Sequence, residues 1–316
     1  FAGKFLPVYP ATSKLPSWKV MQCVNLALES IDDLPDYLPI EIAQEFKYPS
    51  LKQAFLDIHQ PPDLDSAENA RQRLTFDEAL LLQLLLGQRR NEILKLSTKS
   101  RTPNTPVLVA AFEAKLPFKY TAGQIEINAE IEKDLSNKYP MHRLLQGEVG
   151  SGKTVVALRA MLSVVDSSGQ AALLAPTEVL AQQHYRTITK LLGELAQAGT
   201  LQAGAIGTQV ELLTGSLTAA TKKEILAKLA SGQTGIVIGT HALISDGVAF
   251  NDLGLVIVDE QHRFGVEQRD ALRMKAKQPP HLLVMTATPI PRTVAMTVFG
   301  DLDISTLREL PGGRVA

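Results

Sequence analysis

A chain of 316 residues that is 45% hydrophobic and 21% charged has the composition of an ordinary globular protein, long enough for two domains or for one large core with an appendage. Its 32 basic and 33 acidic side chains leave a formal charge of -1, which excludes a protein coated in basic residues, so any contact with nucleic acid has to come from local patches. Cys23 stands alone, which excludes an internal disulfide and a cysteine-built metal site, and no apolar run approaches the ~20 residues that span a bilayer, so we expect a cytoplasmic protein with no membrane partner.

The chain begins at Phe1, with neither a methionine nor a signal-peptide pattern, and we expect it to be a piece of something longer. Up to about Lys115 it reads as helix-like stretches separated by prolines: residues 17–33, the proline-interrupted 36–46, 50–58, a break at 59–63, then 66–94. The last of these has Leu74, Ala79, Leu81, Leu82, Leu85, Leu86, Ile93, Leu94 and Leu96 at roughly helical spacing, with Arg89 and Arg90 on the other side. That pattern predicts a helix packed on a neighbouring domain.

After "LPFKYTAGQ", residues 116–124, the pattern becomes strand, turn, helix, repeated. The apolar runs "RLLQ", "AALLAP", "VELLT", "GIVIGT", "LGLVIVDE" and "HLLVMTAT" alternate with helix-like stretches such as 177–195 and 218–232. Short, nearly continuous apolar strands with helical crossovers are what a parallel sheet covered on both faces requires, so this part is expected to be a doubly wound α/β domain.

Gly147, Gly150 and Gly152, followed by Lys153 and Thr154 in "GEVGSGKT", match the P-loop pattern between a strand and the helix-like "KTVVALRAML". Glycines let backbone N–H groups turn toward phosphate oxygens with no Cβ in the way, and the helix N-terminus adds partial positive charge. On this reading the loop, Ser151 included, cradles the phosphates of ATP, Lys153 reaches the β- and γ-phosphates and Thr154 holds Mg²⁺. The alternative is a glycine-rich turn that matches by coincidence, which the flanking strand and helix argue against. "LVIVDEQH", residues 255–262, ends a buried strand on two carboxylates, the placement expected at the carboxyl edge of a parallel sheet. Asp259 is expected to help hold Mg²⁺ and Glu260 to orient and deprotonate the attacking water. Alone, such a pair often only caps the next helix; the upstream P-loop favours the catalytic reading.

"DEQH" followed by "RFGVEQR", with "MTATPIPRTVAMT" at 285–297 and "LLAPTEVLAQQH" at 173–184, resembles the first motor lobe of superfamily-two DNA helicases, in particular the RecG family. The translocase of the transcription-repair coupling factor shares "RFGV" and "TATPIPRT" and is the nearest alternative; "QGEVGSGKT", "DEQHRFG" and the N-terminal helices favour the RecG family. The resemblance implies a RecA-like lobe of the P-loop NTPase class over 116–316, preceded over 1–115 by a mainly helical connector that follows a wedge domain. It also implies that a second motor lobe, with the arginines that complete the ATP site, follows "ELPGGRVA", so little turnover is expected of this piece alone.

Carried over residue by residue, the resemblance makes Gln124 the reader of the adenine edge, with Phe118 as an apolar contact to the base. Pro176, Thr177, Glu178 and Gln182, with Gln183 beside it, fall on a motif that touches the DNA backbone, and Thr214, Gly215, Gly239, Thr240 and His241 fall on two further motifs of that surface. His262 and Thr286, Ala287 and Thr288 become the parts that couple the two sites. Each has a plainer reading: Gln124 as a first-turn helix polar residue, the threonines and glycines as caps, His262 as an exposed loop residue. Arg263, Arg269, Arg273, Lys275 and Lys277 form either a solvated helix face or part of an interface with DNA or a neighbouring domain. The function implied is that of an ATP-dependent monomeric DNA helicase acting on branched double-stranded DNA, with fork regression and Holliday junction branch migration as its work. A nucleotide-binding module without turnover is the remaining alternative.

Overall fold

The computed structural model describes residues 5, 7–30, 34–197, 206–259, 275–288 and 301–309. The chain divides into two compact units, Phe1–Leu85 and Leu86–Ala316.

The first unit is helical, with α1 (Ser17–Glu29), α2 (Ile40–Glu45), α3 (Leu51–His59) and the start of α4 (Leu64–Lys95), whose 32 residues run through the division. Pro16 and Pro39 stand immediately before α1 and α2, where a missing N–H costs nothing, and Ser50 caps α3 by accepting from the Gln53 N–H. The inward face of α4 differs from the leucine stripe expected. Ala70, Arg73 and Asp77 are its buried residues in this unit, whereas Leu81, Leu82, Leu84 and Leu85 are exposed. Arg73 is buried completely because its guanidinium is fully employed: Asp36 pairs with it at 2.7 Å, Asp77 at 3.0 Å, and the Pro49 carbonyl accepts at 3.1 Å. The Arg73 guanidinium in turn holds the Asp36 carboxyl below its ordinary range.

The second unit has α5 (Val107–Lys115), α6 (Ala122–Leu135), β1 (His142–Gly147), α7 (Lys153–Asp166), β2 (Gln170–Leu174), α8 (Glu178–Leu192), β3 (Gln209–Leu213), α9 (Ala219–Ser231), β4 (Thr234–Gly239), β5 (Leu253–Asp259), β6 (His281–Thr286) and β7 (Asp303–Leu307). The strands form one parallel sheet in the order β3-β4-β2-β5-β6-β1-β7, the RecA-like doubly wound arrangement expected. Alternation along each strand feeds two cores. Leu145, Leu173, Ile257 and Leu283 face a core built with α5, α6, α7 and α8, while Leu144, Leu174, Val256 and Val284 face one built with α9, Leu243 and Phe250. Both faces are covered, so the strands read as continuous apolar runs. The composition change near Lys115 lies inside this unit, where Leu108, Val109 and Phe112 of α5 pack in the α7 core.

At the amino ends of the central strands, Arg101 reaches Asp252 with hydrogen bonds of 2.5 and 2.8 Å. A Cβ on Gly254 would stand 2.6 Å from the Arg101 Nε, so only glycine leaves the guanidinium its path. With Lys99 nearby, Arg101 holds the Asp252 carboxyl down at about 2. His281, fully buried, accepts from the Met141 N–H at 3.0 Å through Nδ1 and faces the Lys99 carbonyl at 3.4 Å through Nε2, the pattern of a neutral ring, and burial lowers it to about 4.

Candidate nucleotide and nucleic-acid site

The turn after β1 has the backbone geometry that an anion-binding loop requires. Gly150 and Gly152 take φ of 88° and 87°, in the left-handed region, and Gly152 is the N-cap of α7. A glycine cap supplies no side-chain acceptor, so the first amides of α7, which helix geometry leaves without intrahelical partners, are available to a ligand. Gly147 has no room for a side chain, since a Cβ there would stand 2.7 Å from the Ser151 Oγ and 2.9 Å from the Leu307 Cβ. The Ser151 hydroxyl is itself buried with no hydrogen-bond partner among the described residues, and an oxyanion in the turn would satisfy it. Lys153 folds back over the loop and donates to the carbonyls of Gly147 at 2.6 Å and Glu148 at 3.0 Å. These features fit a nucleotide phosphate chain, and Thr154, half-buried, lies in the first turn of the same helix.

Gln124 is tied to this loop from α6. Its Oε1 accepts from the Thr121 N–H at 3.1 Å and its backbone N–H donates to the Thr121 hydroxyl oxygen at 3.3 Å, a reciprocal capping box. Its Nε2 donates to the Ser151 carbonyl at 3.0 Å, so one buried amide both caps α6 and braces the phosphate loop. Phe118, just before that helix, is exposed.

Strand register sets the acidic partner. Leu145 of β1 lies beside Met285 of β6, and Met285 lies beside Asp259 of β5, so Asp259 ends its strand level with Leu145, two residues before Gly147 opens the phosphate loop. Neighbouring strands are about 4.8 Å apart, which places β5 roughly 10 Å from β1 across β6. Asp259 is buried, and its Oδ2 accepts from the His184 Nε2 on α8 at 2.7 Å. Thr286 and Thr288, with Ala287 between them, form a tight turn at the end of β6 in which the two hydroxyls are 3.0 Å apart. Glu260, His262, Arg263, Arg269 and Arg273 lie outside the described residues. Lys275 donates to the Ser245 carbonyl at 2.8 Å, while Lys277 is exposed.

The other half of the same edge carries three turns. Pro176, Thr177 and Glu178 follow β2, Thr214 and Gly215 follow β3, and Thr240 and His241 follow Gly239 at the end of β4, three adjacent strands. Thr177 caps α8 by accepting from the Leu180 N–H, and the Glu178 Oε1 accepts from the Ser216 N–H at 3.2 Å, joining the first turn to the second. Thr214 is buried with its hydroxyl 3.2 Å from that of Ser216, Thr240 is buried, and His241, Gln182 and Gln183 are exposed. His184 was not singled out from sequence, although it closes the quoted "LAQQH"; only its position on α8 opposite Asp259 gives it a role.

A parallel sheet with a phosphate loop after one strand and a buried carboxylate ending another defines the P-loop NTPase class. The chain belongs to the DEAD/DEAH box helicase family, whose sequence pattern matches residues 123–297. It is similar to the ATP-dependent DNA helicase RecG of Mycobacterium bovis, 53% identical over 316 residues, which are 99% of this chain and 43% of that protein. The RecG of Synechocystis sp. is 44% identical over 99% of this chain and 36% of its own length, and that of Bacillus subtilis 41% identical over 98% and 44%. The structure of RecG bound to a three-way DNA junction superimposes with a TM-score of 0.77 at 37% identity, over 98% of this chain and 40% of that one. The chain therefore spans less than half the length of these relatives. No helix among the described residues is long and apolar enough to cross a membrane.

Proposed function

We propose that this chain is the connector and first motor lobe of an ATP-dependent DNA helicase or translocase that acts on branched double-stranded DNA. The observation that carries the proposal is the division of one sheet edge, with the phosphate loop, Asp259 and Thr286–Thr288 on β1, β5 and β6 and the three polar turns on β2, β3 and β4. Lys153 and the loop amides bind the phosphates, while Gln124 and Phe118 bound the base. Thr154 and Asp259 are the residues that would hold Mg²⁺, which when bound neutralises charge on the β- and γ-phosphates. Glu260 takes the proton of the attacking water, and His262 with Thr286, Ala287 and Thr288 relates that site to the DNA side.

The turns at Thr177, Thr214 and Thr240 offer hydroxyls and helix-start amides, groups that contact a phosphate backbone without reading sequence. In the whole protein, opening and closing of two lobes on duplex DNA would drive fork regression and Holliday junction branch migration in recombination and repair, by a cytoplasmic monomer. The support is the likeness to RecG, one of whose structures is bound to a three-way junction.

The test is a calorimetric titration with Mg·ADP of this chain beside Lys153→Ala. Binding by the native chain and its loss in the variant are expected; equal affinity would remove Lys153 from the site. Forked DNA added to an ATPase assay of the whole protein then separates a DNA motor, which it stimulates, from a nucleotide-binding module, which it leaves unchanged.

A further inference from the structure

We propose that His184 is a positioning residue that fixes the rotation of the Asp259 carboxylate and ties it to α8; this rests on the reading of Asp259 as a Mg²⁺-holding group. The contact is direct, with the His184 Nε2 2.7 Å from the Asp259 Oδ2. A carboxylate only accepts, so the ring carries its proton on Nε2 and donates. One oxygen of Asp259 is thereby committed to the imidazole, and Oδ1 is left for the metal side.

The pair sits where the two halves of the sheet edge meet. β2, which leads into α8, is hydrogen-bonded to β5, which ends in Asp259, so the boundary between the three polar turns and the phosphate half runs between these strands. Along the described part of this edge, His184 is the side chain that crosses it to Asp259. α8 begins at the Thr177 cap and is fastened by Glu178 to the turn after β3. His184 follows Thr177 by two helical turns, about 10 Å along a rigid element. A displacement of the Thr177–Glu178 turn therefore reaches the Asp259 carboxylate through one helix and one hydrogen bond. Partners that orient metal-binding carboxylates cost about tenfold or more in metal affinity when removed.

The experiment measures ADP affinity calorimetrically in Mg²⁺ and in EDTA for the native chain, His184→Ala and His184→Gln. The native chain should bind ADP more tightly with Mg²⁺. His184→Ala should keep its affinity in EDTA and lose the Mg²⁺-dependent gain by about tenfold, or wholly where the native gain is smaller. His184→Gln, which can still donate to Asp259, should recover part of the gain; its EDTA affinity also reports a folded phosphate loop if the alanine variant does not fold. A gain unchanged or increased in the variants, with native behaviour as expected, overturns the positioning role alone. A native chain whose ADP affinity ignores Mg²⁺ overturns both that role and the reading of Asp259.

Discussion

The buried histidine at the start of β6 makes the stability of the second unit depend on pH in a calculable way. His281 accepts the Met141 N–H and is lowered from 6.5 to about 4 by burial, so the folded state keeps it neutral where the unfolded chain protonates it. Between those values the unfolded state binds more protons, and stability falls as pH drops from above 6.5 toward 4. The full shift corresponds to about 3 kcal/mol at 1.36 kcal/mol per unit, and about 2 kcal/mol of it is lost by pH 5. Asp252, held at about 2, titrates below that window.

The assay is urea unfolding at pH 7.5 and pH 5, followed by far-ultraviolet circular dichroism, because the only tryptophan, Trp18, belongs to the first unit. His281→Asn serves as the reference, since it cannot titrate and its own constant cost cancels from the pH difference. The native chain should lose about 2 kcal/mol more than the variant between the two pH values. An equal loss in both would refute the claim that burial keeps this ring neutral.

Gly147→Ala should distort the phosphate loop, because the added methyl meets Ser151 and Leu307 below 3 Å; we expect weakened Mg·ADP binding and a stability cost of about 1–3 kcal/mol, read by calorimetry and thermal unfolding. Arg73→Ala leaves Asp36 and Asp77 without their shared cation and should destabilise the first unit by roughly 3 kcal/mol or more, which Trp18 fluorescence in a urea titration would report. In the whole protein, Glu260→Gln should bind ATP normally and fail to turn it over, since the amide keeps the shape but takes no proton; normal turnover would remove Glu260 from that role.

Most of the sheet and the glycine-rich turn after β1 were legible because their signals are local. Buried parallel strands must be apolar on both faces, a loop that presents amides to an anion must be rich in glycine, and prolines mark where helices cannot continue. α5 was not, because "VLVAAFEAK" is a short apolar run without a distinguishing period. β7 was not, because "DISTL" is an edge strand whose pairing with β1 alone makes it one.

The sequence by itself determined the α/β alternation, the glycine-rich turn after β1 and the carboxylate at the end of β5, each written in residues next to one another. Tertiary structure alone decided that α4 turns Arg73 inward, that Gly254 exists to admit Arg101, that Gln124 braces the loop at Ser151, and that His184 meets Asp259. The reason is physical. A buried polar group must find its partner wherever the fold brings one, and the distant partners here lie 27, 37, 75 or 151 residues away, where no local pattern records them.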